Sequence, residues 1–321
     1  MRFFRKTNID FMSKRRTWYV VSLSVIAIGL IAIPLKGGLD YGLDFTGGTE
    51  MVVGFSDAPD AGEVRSMMNN AGYLKSEIKT YGDPNKLLIR TQSVGEGTSV
   101  GDRMRAILEQ TFKDRSPRVL EEQKIGAKVG SELRRDAFFA IVFSLIAILI
   151  YVAFRFKFIY GVGAVAALFH DVLVTLGIIS LVDGATPFTN FEIDQNMIAA
   201  FLTLVGLSVN DTVVIFDRMR ENQKIYRSMS LVELMNKSLN ETLSRTIITM
   251  GIIVAVTVVL FFFGGEVNRG FAFALTVGII TGTYSSIYIA SAIVLELTNR
   301  RLAKKTSPVT VGKAASYEPV N

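Results

Sequence analysis

M-I-A-A-F-L-T-L-V-G-L-S-V-N-D-T-V-V-I-F-D-R, residues 197–218, is long and apolar enough to cross a bilayer, yet it holds a carboxylate inside it. Residues 197–210 carry no charge, Asp211 follows, and five apolar or small residues separate it from Asp217. At about 1.5 Å per residue the two aspartates stand roughly 9 Å apart along a helix, so Asp211 lies well inside the helix end. An ionisable side chain at membrane depth costs ~2.5–3.5 kcal/mol on insertion scales and by default marks an ion pathway or relay. The competing reading puts Asp211 nearer the interface, solvated from one side.

The rest of the chain favours a membrane setting. Half of its 321 residues are hydrophobic and its mean hydropathy is positive, too apolar for an ordinary soluble domain. Six segments are long enough to span about 30 Å of hydrocarbon: 18–35, 137–154, 158–182, 197–217, 245–264 and 271–295. The fold class expected is therefore an α-helical integral membrane protein with six transmembrane helices.

The cations set its orientation. Arg2, Arg5, Lys6, Lys14, Arg15 and Arg16 precede the first span, and Arg155 and Lys157 separate the second from the third. Arg218, Arg220, Lys224, Arg227 and Lys237 lie between the fourth and fifth, and Arg300, Arg301, Lys304 and Lys305 follow the sixth. The short loops on the other side, 183–196 and 265–270, hold only Arg269. The N-terminus (1–17), the connecting segment 218–244 and the tail 296–321 are thus expected in the cytoplasm. Pro308 and Pro319 in the polar tail suit disorder. The net charge of +6 follows from this asymmetry and calls for no nucleic-acid partner. The basic start resembles a signal peptide, but the apolar stretch after it is too long and no small-x-small cleavage site follows, so it reads as a retained anchor.

The same count puts residues 36–135 outside as a soluble domain of ordinary size. Strands are expected at 50–55, 77–80, 86–91 and 118–125, with helices at 60–71 and 100–112. That order, βαββαβ, fits a split βαβ, ferredoxin-like module. The glycine-rich residues 37–50 read as a tight turn joining the anchor to this domain; they lack the G-K-[ST] of a phosphate loop.

Chemistry-bearing residues are few. With no cysteine and a single histidine, His170, a disulfide framework is excluded and a metal or haem site is not expected. Ser208, Asn210 and Asp211 share the fourth span, where they suit a face turned to other helices. Arg245, at the start of the fifth span, could be the fixed counter-charge of Asp211 or could snorkel to the interface. His170 and Asp171 lie mid-span, as a relay or as inter-helix hydrogen bonds. Gly278, Gly282, Ser286 and Ala290 form a small-residue ladder for close helix packing. Nothing supports an enzyme: no second histidine exists to activate a nucleophile, and the aspartates do not match intramembrane-protease motifs.

Several stretches together resemble a known family. G-L-D-F-T-G-G-T-E (42–50), S-V-N-D-T-V-V-I-F-D-R (208–218) followed by M-R-E-N, L-S-R-T-I-I-T (243–249), F-G-G (263–265) and G-T-Y-S-S-I-Y-I-A-S-A (282–292) are similar, in order and spacing, to the SecF family of bacterial protein-export subunits. The resemblance covers nearly the whole chain. It implies an RND-type half of six spans in the bacterial inner membrane, with a ferredoxin-like periplasmic domain between the first two. It implies SecD as partner and assistance to the SecYEG channel, completing preprotein translocation with the proton-motive force. Protons are then the coupling ion, no cofactor is needed, and the family's proton-transporting aspartate and arginine fall on Asp211 and Arg245. Asn210 stands where RND relatives often carry a second acid, which leaves one carboxylate here. No family role carries over to His170 and Asp171. Two other readings remain open at this stage, an RND-type exporter of small molecules or lipids and a non-conducting translocon scaffold.

Overall fold

The computed structural model describes residues 7–73, 76–91, 99–186, 189 and 191–306. Arg2, Arg5, Lys6 and the tail residues Pro308 and Pro319 lie outside the described residues. The first long helix, α1, is Arg15–Leu35, ending one residue past Pro34, which has no N–H to continue the helical bonding. A short helix α2 (Leu43–Thr46) leads into a four-stranded sheet. Strand β1 is Gly48–Gly54, helix α3 Ala61–Asn70, β2 Glu77–Tyr81, β3 Asp83–Thr91, helix α4 Ser99–Thr111 and β4 Arg118–Ile125. The strand order is β2-β3-β1-β4 and every neighbouring pair is antiparallel. Asp60 starts α3 by accepting the Gly62 N–H at 2.7 Å, satisfying one of the otherwise orphaned amides.

The two faces of the sheet differ because strand side chains alternate. Met51, Val53, Ile78, Leu87 and Ile89 meet Val64, Met68, Met104 and Leu108 of α3 and α4 in a core of their own. The opposite face presents Glu50, Glu77, Lys79 and Arg90. β1 alternates poorly in sequence for a reason visible here: Val52, on that second face, is buried as well.

Gly47 joins α2 to the sheet with φ 67° and ψ 168°, a region essentially reserved for glycine. A Cβ there would also stand 2.8 Å from the Ala127 Cα, so the chain passes the start of the next helix without room for a side chain. Gly47→Ala is expected to lower stability by about 1–3 kcal/mol, measured as a fall in the unfolding midpoint of the purified protein.

Five more long helices follow. They are α5 (Ala127–Arg155), α6 (Phe158–Val182), α7 (Gln195–Ile225), α8 (Leu231–Phe263) and α9 (Glu266–Ser285). The last continues through a π-helical turn, Ser286–Ala290, into α10 (Ser291–Thr306). With α1 these give six helical stretches long and apolar enough to cross a membrane. Helix outlasts apolarity at several ends. α5 starts directly after β4, and the connecting residues 218–244 are helical extensions of α7 and α8 on either side of a turn at 226–230. Residues 266–270 are helical, and helix also runs from 296 into the tail as far as 306. The polar extensions are rich in Leu, Glu, Asn, Lys and Arg, several of them strong helix formers. α8 is launched by a capping box, Ser230 with Glu233.

The bundle has two apolar cores. One, at the end remote from the sheet, gathers Phe11, Met12, Phe156, Phe216, Met235 and Leu295; the other, beneath the sheet, gathers Phe45, Phe191, Met197, Phe201, Leu204 and Leu275. A polar layer lies between them.

Candidate functional site

That polar layer is built where α6, α7, α8 and α9 cross. Asp211 of α7 is 5% exposed. Its Oδ1 accepts from the Thr246 hydroxyl of α8 at 2.6 Å, while its Oδ2 is buried with no hydrogen-bond partner. The sequence leaves Arg245 as either the counter-charge of Asp211 or a snorkelling cation, and the structure joins the two side chains by no direct bond. Arg245 neither hydrogen-bonds nor ion-pairs with Asp211 and acts on it only through the Coulomb field. Successive helix residues are turned by about 100°, so when Thr246 faces α7 the neighbouring Arg245 looks outward and is exposed. It borders a cavity of about 1080 Å³ at the end remote from the sheet, lined also by Val214, Asp217, Arg218, Glu221 and Glu241. Val214 is one turn along α7 from Asp211, roughly 4.5 Å of rise. A buried carboxylate with a free oxygen therefore sits one turn from a polar, open vestibule, with a fixed cation at the vestibule's inner end.

His170 and Asp171 form a second polar centre. With the proton on Nδ1, His170 donates to Asp171 Oδ1 at 3.0 Å, and its Nε2 accepts from the Tyr284 hydroxyl at 3.2 Å. Tyr284 is in turn 3.3 Å from the Ser22 hydroxyl of α1. From the other side Ser208 donates to Asp171 Oδ2 at 2.6 Å. Five residues on four helices, Asp171 included, are thus linked in one network around its fully buried carboxylate. Tyr284→Phe removes one link and is expected to cost about 0.6–1.7 kcal/mol, the range for inter-helix hydrogen bonds in membranes, read as a lower unfolding midpoint in detergent.

The small-residue ladder lets these groups meet. A Cβ on Gly282 would lie 3.0 Å from Ser208 Oγ and 3.4 Å from Asp171 Oδ2, and one on Gly278 would run into the Leu204 side chain. Ser286 exchanges a hydrogen bond with Thr212 at 2.8 Å, and the π-turn begins at Ser286 itself. Such turns interrupt helix regularity beside functional groups. Asn210 joins none of this; it is exposed on the same side of α7 as Thr203 and Gly206.

Sequence reasoning missed Thr246, Tyr284, Ser22 and Thr212 as partners. Each is a polar residue in an apolar run, and only helix packing tells which of them face one another. Among the described residues no cluster of acidic, histidine or cysteine side chains is arranged to hold a metal ion.

Comparison with known proteins agrees over almost the full length. Residues 104–300 match the family described as protein export membrane protein SecD/SecF, C-terminal, and residues 33–59 match the SecD/SecF GG motif. The chain is 44% identical over 305 residues to the protein translocase subunit SecF of Rhodothermus marinus, covering 95% of this chain and 98% of that one. It is 41% identical over 304 residues to the SecF of Thermodesulfovibrio yellowstonii, covering 94% and 98%. Its structure resembles crystalline SecDF of Thermus thermophilus, a translocon-associated membrane protein, with a TM-score of 0.80 and 35% identity. That likeness covers 92% of this chain but 39% of the SecDF chain. A super-membrane-facing form of SecDF gives a TM-score of 0.67 at 33% identity, covering 94% of this chain and 40% of that one.

Proposed function

The chain belongs to the SecD/SecF family of protein-export membrane proteins, and from that premise we propose that it is the accessory subunit of the Sec translocon that couples proton entry to preprotein export. SecD supplies the other half of the complex, SecYEG the channel, and translocating preproteins the load. Both termini face the cytoplasm, and the sheet domain is a ferredoxin-like module in the periplasm, a reading supported by its βαββαβ order and antiparallel β2-β3-β1-β4 sheet.

The observation that carries the proton reading is Asp211: buried, with one oxygen unpartnered, one turn from the vestibule that Arg245 borders. Ionised, the carboxylate is held by Thr246 and by the field of Arg245. Protonated, it loses its charge, and the attraction across the α7–α8 contact weakens. One charge moving through 100 mV supplies ~2.3 kcal/mol, enough to bias a two-state equilibrium about fifty-fold. Arg245 keeps its charge throughout and returns the carboxylate to the ionised form. The exposed face of α7 at Asn210 is where SecD's helices close the path, because lipid offers its amide no hydrogen-bond partner.

The test is proton flux in vesicles containing this chain with and without SecD, alongside translocation of a preprotein through SecYEG. Flux that needs both subunits, and export that falls when an ionophore collapses the gradient, is the expected result. Export unaffected by the gradient would refute the proton coupling and leave a scaffold.

A further inference from the structure

Strand register places Arg90 of β3 directly opposite Glu50 of β1 on one side and Glu77 of β2 on the other. All three point to the face of the sheet that α3 and α4 leave open. The Arg90 Nη2 donates to Glu50 Oε2 at 2.5 Å, its Nε to the same oxygen at 2.8 Å, and its Nη1 to Glu77 Oε2 at 3.2 Å. The fourth bond leaves the sheet domain altogether: Nη2 also donates to Glu192 Oε2 at 2.6 Å. Arg90 is only 8% exposed.

Glu192 belongs to the segment that feeds α7. Ile193 beside it forms a bridge with Tyr41, exchanging hydrogen bonds with the Gly42 N–H at 3.0 Å and the Asp40 carbonyl at 2.7 Å. Asp194 then caps α7 at the Met197 N–H, 2.7 Å away. Lys79 reinforces the junction through Glu192 at 3.4 Å, Asp40 at 3.2 Å and Glu77. These groups line an open cavity of about 400 Å³ between the sheet and the bundle. Four carboxylates (Asp40, Glu50, Glu77, Glu192) therefore share two cations, Arg90 bridging Glu50, Glu77 and Glu192 and Lys79 bridging Asp40, Glu77 and Glu192. Burial disfavours the Arg90 charge, but Glu192 and Glu50 outweigh it and drive the guanidinium further toward the charged form.

We propose that Arg90 is a positioning residue that clasps the sheet domain to the entry of α7, so that movement of the Asp211 helix is passed to the sheet domain. α7 is not joined covalently to the sheet domain, which hangs from α1 and α5, so a direct link to α7 has to be non-covalent. Remove the arginine and Glu192 faces Glu50 and Glu77 with Lys79 as the remaining cation, turning attraction at this contact into repulsion. A charge clasp over a cavity can also yield and re-form, which a packed apolar interface does not do for the energy of one proton.

This inference rests on the proton-coupled reading, and its test separates the two. In the complex with SecD, Arg90→Gln and Glu192→Gln are compared with Arg90→Lys, which keeps a cation among Glu50, Glu77 and Glu192. Spin labels on cysteines introduced at Gln123 and Asn196, in a chain that has no cysteine of its own, report the distance between sheet and α7. The two glutamine variants are expected to keep proton flux but lose export by about tenfold, within the range of coupling between sites, with a broadened distance distribution. Arg90→Lys keeps export and distance nearer the parent than Arg90→Gln does. Unchanged export and distance in Arg90→Gln would overturn the clasp, and so would parallel loss of flux and export that Arg90→Lys shares in full. An absence of flux in the unmodified complex would instead refute the proton reading, while the distances still decide the clasp.

Discussion

Asp211→Asn is expected to reduce proton flux through the reconstituted complex on the order of 100-fold, the lower end of what loss of a positioned proton-transfer group costs. The substitution keeps the shape, and the amide oxygen can still accept from Thr246, which donates to Asp211 Oδ1 at 2.6 Å. Stability should therefore change by no more than about 1 kcal/mol, the net worth of one hydrogen bond. What disappears is titration. Export should become indifferent to an ionophore in this variant, because the gradient no longer acts on the α7–α8 contact. Asp211→Glu keeps a titratable group but forces an extra methylene into a site only 5% exposed, which overpacking penalises by ~1–3 kcal/mol; partial flux is its expected outcome. Flux in Asp211→Asn equal to that of the unmodified complex would end the relay reading.

Asp171→Ala is expected to be the most destabilising single change in the polar layer. Asp171 is fully buried and accepts from both Ser208 and His170. Truncation leaves two buried donors unmet and a void. Inter-helix hydrogen bonds in membranes average only ~0.6 kcal/mol, since the separated helices find other partners, whereas an abandoned buried donor costs about 1–3 kcal/mol. The second figure governs here, because the helices stay packed around the gap, and the total should be about 2–4 kcal/mol. Asp171→Asn should recover much of it. Its oxygen accepts from Ser208, and His170 can move its proton to Nε2, donate to Tyr284 and accept from the new amide at Nδ1. Denaturant midpoints in detergent measure both variants. Midpoints unshifted from the parent in both variants would show that the network contributes no stability, and equally lowered ones that the asparagine's hydrogen bonds do not replace those of the aspartate.

The clasp and the polar layer were legible in the sequence to different degrees. Asp211 announces itself, because a charge inside an uncharged run has few explanations. Its partner does not: Arg245 and Thr246 are adjacent in sequence, and the cation drew attention while the hydroxyl makes the hydrogen bond. His170 and Asp171 were equally visible, but Tyr284 and Ser22 lie 114 and 148 residues from His170 in numbering, and no periodicity connects them. Arg90, Glu50, Glu77 and Glu192 looked like ordinary strand and loop charges.

Sequence alone settled the helices, since twenty apolar residues in a row have few other stable uses, and it settled the order of strands and helices in the sheet domain through local alternation and turn chemistry. Both are short-range properties, carried by neighbours along the chain. Which polar groups meet was decided only by the tertiary structure. A helix turns every residue by about 100° and a strand flips each one, so a one-position change in packing or register would exchange Thr246 for Arg245, or turn Arg90 away from Glu192. Those choices depend on close approach at the small-residue ladder and on antiparallel register across the sheet, and both join residues distant in the chain.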